Sequence, residues 1–142
     1  MTIIAYRDGI MAADSAVFDG DTYAGEVRKI HRLPDGSLLG TAGALAMAKI
    51  AADWLSGPME GSPPDLREGS LYGILVRSNG DVFSIDRNLI PMRFKARFYA
   101  EGSGCSVALG AMAAGAPASA AALIACTFDA KCRGPVQVER IG

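Results

Sequence analysis

Histidine is nearly absent from this chain of 142 residues, which has only His31. A Ser-His-Asp or Cys-His catalytic group would have to be built on that one imidazole. His31 lies two residues from Lys29 in an alternating segment and shares its face, which assigns it an exposed or neighbour-paired role. Cysteine is also scarce: Cys105, Cys126 and Cys132 are an odd number without a Cys-x-x-Cys pair. Neither a disulfide framework nor a zinc site follows from such a set, and a reducing, cytoplasmic compartment fits it best. Charge of one sign is lacking too, since 14 Lys+Arg against 15 Asp+Glu leave a net charge of -1. That balance excludes an electrostatic grip on nucleic acid. There is no phosphate-binding Walker loop, and Gly102-Ser103-Gly104 is no more than a strand-to-helix turn signal.

Two further absences concern membranes and export. The start, MTIIAYRDG, has Arg7 and no apolar run behind it, so a chain that starts as mature protein is expected rather than one with a signal peptide. Gly102 to Phe128 carries no charge. It is interrupted by Gly115-Ala116-Pro117 and is mostly alanine, which suits two short packed helices better than a span in lipid.

What is present is apolar and patterned. Half of the residues are hydrophobic and 20% are charged, enough for one globular domain over 1–142 with a single main core. Thr2-Ile3-Ile4-Ala5-Tyr6 and Ile10 to Asp14 predict a first pair of strands. After a polar excursion, Glu26 to Leu33 alternates, turns at Pro34-Asp35-Gly36 and returns as Ser37 to Ala42. The period then changes. Leu45, Ala48, Ala52 and Leu55 form one stripe, predicting a helix over Gly43 to Leu55. Gly57-Pro58 and Ser62-Pro63-Pro64 predict a loop over Ser56 to Ser70. Leu71–Arg77 and Asp81–Asp86 flank Ser78-Asn79-Gly80, a strong hairpin signal. One or two strands between Leu89 and Ala100 follow, then helices over Cys105–Ala114 and Pro117–Cys132, and a last strand over Val136–Ile141. Strands, a helix, more strands, a helix pair and a final strand define an α+β chain of two antiparallel sheets with helices outside.

With conventional triads gone, the remaining chemistry is an N-terminal nucleophile. Methionine is commonly trimmed before a small residue, and Thr2 follows Met1. Trimming would put a hydroxyl and a free α-amine on one residue, and an α-amine with a pKa near 8 can act as general base.

The succession Thr2-x-Ile4, Ala12-Ala13-Asp14-Ser15, Val27-Arg28-Lys29-Ile30, Gly40-Thr41-Ala42-Gly43, Gly102-Ser103-Gly104 and Phe128-Asp129-Ala130-Lys131-Cys132-Arg133-Gly134 resembles the proteasome β-subunit and HslV peptidase family over nearly the whole chain. The resemblance implies a four-layer αββα sandwich and a threonine-type peptidase acting on peptides or unfolded proteins, with no metal or organic cofactor. It assigns Thr2 as nucleophile, Asp14 and Lys29 as the charge pair beside it, and Gly43 as oxyanion donor. Ser103 and Asp129 fall in the hydrogen-bond network of the amine. A lysine ammonium near that amine would favour its neutral, basic form. It also implies a homo-oligomeric ring and a possible ATP-dependent unfoldase partner. Three departures stand out. Ile3 replaces a second threonine, Cys132 replaces a serine that joins the network, and the loop 56–70 replaces a second long helix, thinning the outer helical layer. Two other readings share the pattern: an inactive ring-forming scaffold, and an amidase of the same chemistry for small amides.

Overall fold

The computed structural model describes residues 2–66 and 70–142. Met1 and residues 67–69, the latter within the predicted loop, lie outside this range.

The chain builds eleven strands and three helices among these residues. Strands β1 (Ile4–Arg7) and β2 (Ile10–Ala13) form the predicted first pair. With β10 (Phe98–Glu101) and β11 (Gln137–Arg140) they make a four-stranded antiparallel sheet in the order β10-β1-β2-β11. A five-stranded antiparallel sheet runs β5-β6-β7-β8-β9, from β5 (Ile30–Arg32), β6 (Leu38–Gly43), β7 (Leu71–Val76), β8 (Val82–Asp86) and β9 (Met92–Phe94). The predicted segment Leu89–Ala100 thus splits between the two sheets. Helix α1 (Leu45–Ser56) packs outside the five-stranded sheet, and α2 (Cys105–Ala113) with α3 (Ala118–Phe128) packs outside the other. The result is the expected four-layer αββα sandwich, with one helix among the described residues on the thinner side.

Strand alternation sorts side chains into three apolar layers. Ile4, Tyr6, Met11 and Ala13 face the second sheet and meet Ile30, Leu38, Ile74 and Val76 there. Their neighbours Ile3, Ala5 and Ala12 point the other way, onto Ala108, Ala118, Ala121, Ala122 and Ala125 of the helix pair. Alanine on both sides lets helices sit close to the sheet, which explains the alanine bias of α3. Leu39, Leu75 and Ile85 cover the far side of the second sheet, against Ala51 and Leu55 of α1.

Three boundaries differ from expectation, each for a local reason. The polar stretch after β2 is a hairpin, β3 (Ala16–Asp19) and β4 (Thr22–Glu26). Its Phe18 and Tyr23 rings meet edge-to-face at 5.8 Å. The alternating segment Glu26–Leu33 is therefore not one strand, because residue 26 ends β4, β5 starts at Ile30, and 27–29 belong to neither. Helix α3 stops at Phe128 instead of Cys132, because Asp129 turns the chain. Its Oδ1 accepts the Lys131 N–H at 2.9 Å and its carbonyl accepts that of Cys132 at 3.1 Å. Among the described residues, no helix is long and apolar enough to cross a membrane.

Gly40 sets the spacing of the two sheets. A Cβ at that position would sit 2.5 Å from Ile4 Cγ2 and 2.8 Å from Met11 Sδ. Gly40→Val should therefore overpack the central layer and lower unfolding free energy by roughly 1–3 kcal/mol, read as a drop in the urea midpoint at unchanged slope. Wild-type stability would show that the sheets can part at this point without cost.

Candidate active site

The sandwich is open at one end, and the sequence-predicted residues gather there because of strand direction. Thr2 precedes β1, Asp14 follows β2, Lys29 precedes β5, Gly43 ends β6 and Ser103 follows β10. Antiparallel pairing puts Ile4 opposite both Ala13 and Glu101, so these starts and ends fall on the same edge. Residues separated by up to 101 positions become neighbours.

Lys29 is the centre of the arrangement. Its Nζ donates to Thr2 Oγ1 at 3.0 Å and to Asp14 Oδ1 at 2.9 Å. Asp14 is fully buried and only 5% of the Lys29 side chain is exposed. A buried pair is tolerable only when the remaining polar atoms are also satisfied. Here they are: Asp14 Oδ1 also accepts the Ile3 N–H at 3.1 Å, and Oδ2 accepts those of Ala16 at 3.3 Å and Arg133 at 3.2 Å. The buried ammonium is delivered by residues 27–29, which belong to neither β4 nor β5, and not by the continuous strand that the alternation of Glu26–Leu33 predicts.

The second cluster surrounds the Thr2 nitrogen. Thr2 N–H donates to Ser103 Oγ at 3.1 Å. Ser103 Oγ in turn lies 3.4 Å from the Thr2 carbonyl oxygen and 3.7 Å from Cys132 Sγ. Burial alone would raise the Asp129 carboxyl, but hydrogen bonds from Ser103, the Lys131 N–H and Cys132 outweigh it and hold the group below the usual carboxylate value. Asp129 is thus ionised at neutral pH, and its link to Ser103 is lost only as pH falls through that lowered value.

The thiols behave oppositely. Burial, helped by the Asp14 charge, pushes Cys132 up to about 12 and Cys126 up to about 11. Both stay protonated near neutrality, so neither can act as a thiolate nucleophile there. Cys132 meets Ser103 as a weak neutral partner, its Sγ 3.7 Å from the Ser103 Oγ.

Gly43 lines the same cleft as Thr2, Lys29 and Ser103, a cavity of about 720 Å³ with apolar walls from Val17, Phe18 and Ala48. Its φ of +113° is a glycine conformation, and a Cβ there would stand 2.0 Å from the Ser70 carbonyl oxygen. The Ser70 oxygen instead accepts the Ala44 N–H at 3.0 Å. The turn from β6 into α1 is thereby tight enough to keep Gly43 on the cleft wall.

His31 takes no part in these contacts. It is half-buried with Nε2 unpartnered among the described residues, and burial, then the Arg28 charge, keep its pKa below the ordinary value. Among the described residues, Nε2 of this imidazole has no neighbour to pair with. The backbone donors of Ile3, Ala16 and Arg133 escaped sequence reasoning, since any non-proline residue supplies an N–H and leaves no compositional signal. The hairpin also reaches the site. Arg133 stacks its guanidinium 4.3 Å from the Tyr23 ring centre, and Lys131 pairs with Asp21 at 2.9 Å, tying β3–β4 to the turn that holds Asp129 and Cys132.

Two solved structures of similar fold span the chain. The HslV of Trypanosoma brucei aligns with a TM-score of 0.70 and 21% identity over 98% of each chain. BPH of Thiobacillus denitrificans aligns with a TM-score of 0.68 and 23% identity, covering 99% of this chain and 98% of that one. The fold is therefore HslV-like. No protein-family model and no curated protein sequence matches the chain.

Removing the ammonium should be costly for folding as well as chemistry. Lys29→Ala leaves the buried Asp14 carboxylate without its counter-charge, so a stability loss of roughly 3–5 kcal/mol is expected, measured by denaturant unfolding. A loss below about 0.5 kcal/mol, the range of ordinary surface substitutions, would contradict the burial of the pair. Cys126 and Cys132 should resist iodoacetamide at pH 8 in the folded chain and react once urea unfolds it. Rapid labelling of either in the native state would show that burial does not protect it.

Proposed function

We propose that the chain is a threonine-type peptidase using N-terminal-nucleophile chemistry on peptides or unfolded proteins. One observation carries this reading: a buried lysine ammonium, paired with a buried aspartate, is hydrogen-bonded to the hydroxyl of Thr2. A purely structural ion pair has no need of that hydroxyl.

The chemistry requires Met1 to be removed. The free Thr2 amine then takes the hydroxyl proton as Oγ1 attacks the substrate carbonyl. Lys29 stabilises the developing alkoxide and disfavours a second positive charge on the amine. The Gly43 N–H receives the oxyanion of the tetrahedral intermediate. Collapse passes the proton from the amine to the leaving nitrogen and leaves an ester on Thr2, which water hydrolyses. Ser103, tethered by Asp129, orients the amine through the contact it makes with the Thr2 nitrogen. Val17, Phe18 and Ala48 on the cleft wall favour an apolar substrate side chain next to the attacked carbonyl.

A homo-oligomeric ring in the cytoplasm belongs to this reading. Exposed apolar side chains on two sides of the sandwich support it, with Leu123 and Phe128 on α3 and Ile90 and Met92 at the β9 edge. An ATP-dependent unfoldase would be the natural partner if the cleft faces a closed chamber. An inactive ring scaffold and a small-amide amidase are the rival outcomes.

The test compares chains that retain Met1 with chains that begin at Thr2, each verified by intact mass. While Met1 is attached the Thr2 nitrogen is a peptide amide without a basic lone pair, so fluorogenic peptide hydrolysis should follow the trimmed fraction. Thr2→Ala should abolish it. In the trimmed chain, Lys29→Ala should cost on the order of 100-fold or more in kcat. Equal activity with and without Met1 would remove Thr2 as nucleophile. Inactivity of both forms would favour the scaffold, and turnover confined to small amides the amidase.

A further inference from the structure

The segment that delivers Lys29 belongs to no sheet, yet its position decides whether the ammonium reaches Thr2. Residues 27–29 lie between the end of β4 and the start of β5. Two backbone bonds hold them: Val27 N–H donates to the Ser15 carbonyl at 2.8 Å, and the Lys29 carbonyl accepts the Thr41 N–H at 3.0 Å. One side chain, Gln137, holds them further.

Gln137 opens β11, the edge strand beside β2, where it pairs with Ala13. Its Oε1 accepts the N–H of Lys29 at 3.0 Å and that of Ile30 at 3.4 Å. Its Nε2 donates to the Val27 carbonyl at 2.7 Å and to the Asp14 carbonyl at 3.2 Å. Every hydrogen-bonding position of the amide that matters here is used, and the four partners are the backbones on either side of the ion pair. A primary amide is the one uncharged side-chain group with two donors and an acceptor that can bridge in both senses. Asparagine is a methylene shorter. Glutamate has no donors for the two carbonyls.

We infer that Gln137 is a positioning residue for the Lys29–Asp14 pair: it fixes the backbone of both partners relative to each other, so that the ammonium is aimed at the Thr2 hydroxyl. This rests on the peptidase reading for its kinetic consequence, though not for its geometry. Gln137 itself does not touch the reacting atoms. Loss of its amide leaves Lys29 free to pair with Asp14 from a shifted segment, and a shift of about 1 Å at a catalytic group can cost about 100-fold in rate.

The experiment uses the trimmed full-length chain carrying Gln137→Met, which keeps length and removes the amide, or Gln137→Glu, which keeps the acceptor for Lys29 and Ile30. Val138→Ala on the same strand serves as a control for simple loss of edge-strand packing. For Gln137→Met, kcat on a fluorogenic peptide should fall about 10- to 100-fold with KM within about twofold, whereas the control should move neither. If that variant does not fold, Gln137→Glu is read by kcat alone, because its carboxylate keeps the acceptor for the Lys29 and Ile30 N–H groups and loses only the donors to Val27 and Asp14. Amide exchange, followed residue by residue by NMR, gives a readout independent of activity: the Lys29 and Ile30 N–H groups should exchange about tenfold faster or more in the variant. Unchanged kcat together with unchanged exchange would overturn the assignment, as would a fall in kcat matched by the Val138→Ala control. A wild-type chain that cleaves no peptide would sink the peptidase reading alone. The exchange rates would then decide the role of Gln137, acceleration supporting it and constancy refuting it.

Discussion

A lysine ammonium held out of water beside a carboxylate is the constraint around which this molecule is arranged. Its desolvation is offset only if the partner is close and every other lone pair nearby is filled. Asp14 meets that condition by drawing backbone N–H groups from three separate parts of the chain, at Ile3, Ala16 and Arg133. The start of β1, the entry to the hairpin and the turn after α3 are thereby pinned to a single carboxylate. The open end of the sandwich is ordered by electrostatics where apolar packing has run out.

The apolar layers do the complementary task of bringing the strand ends into line. Gly40 lets Ile4 and Met11 approach the second sheet, and alanines on β1, β2 and the helix pair bring α3 down onto the first. Because these contacts set the register, Thr2 and Ser103 arrive together although 101 positions separate them. The same packing raises the thiols of Cys126 and Cys132 and leaves Ser103, Lys29 and Asp14 as the polar groups near Thr2. A site in which an ammonium is hydrogen-bonded to the Thr2 hydroxyl while the nearby thiols stay protonated is chemically suited to hydroxyl attack.

An HslV-like fold at 21% identity shows architecture, and function depends on the residues placed upon it. The peptidase reading therefore stands on the Lys29–Thr2 contact and on the chemistry of a trimmed amino terminus. Departures from the resemblance lie around that contact. The Ile3 N–H still bonds Asp14, Cys132 stands in place of serine two links from the nucleophile, and Ser70, at the end of the loop after α1, lines the cleft with Gly43.

Much of this was legible in the chain itself. Alternation disclosed the strands of both sheets, the change of period marked α1, and the Asn79-Gly80 turn marked the β7–β8 hairpin, because these signals are local. The candidate site residues Thr2, Asp14, Lys29, Gly43, Ser103 and Asp129 were legible as a series of short motifs in order, through the resemblance those motifs carry. What tertiary structure alone decided was the direction and company of those side chains. Residues 27–29 alternate like a strand, yet Gln137 and Ser15 hold most of their backbone and β6 reaches only the Lys29 carbonyl. The polar stretch 16–26 pairs with itself, and α3 ends early because Asp129 captures the next N–H groups. Sequence patterns record which side chains prefer burial. Hydrogen bonds between backbone and distant side chains leave no such record, since almost any residue can donate an N–H, and only the folded chain determines which one is within reach.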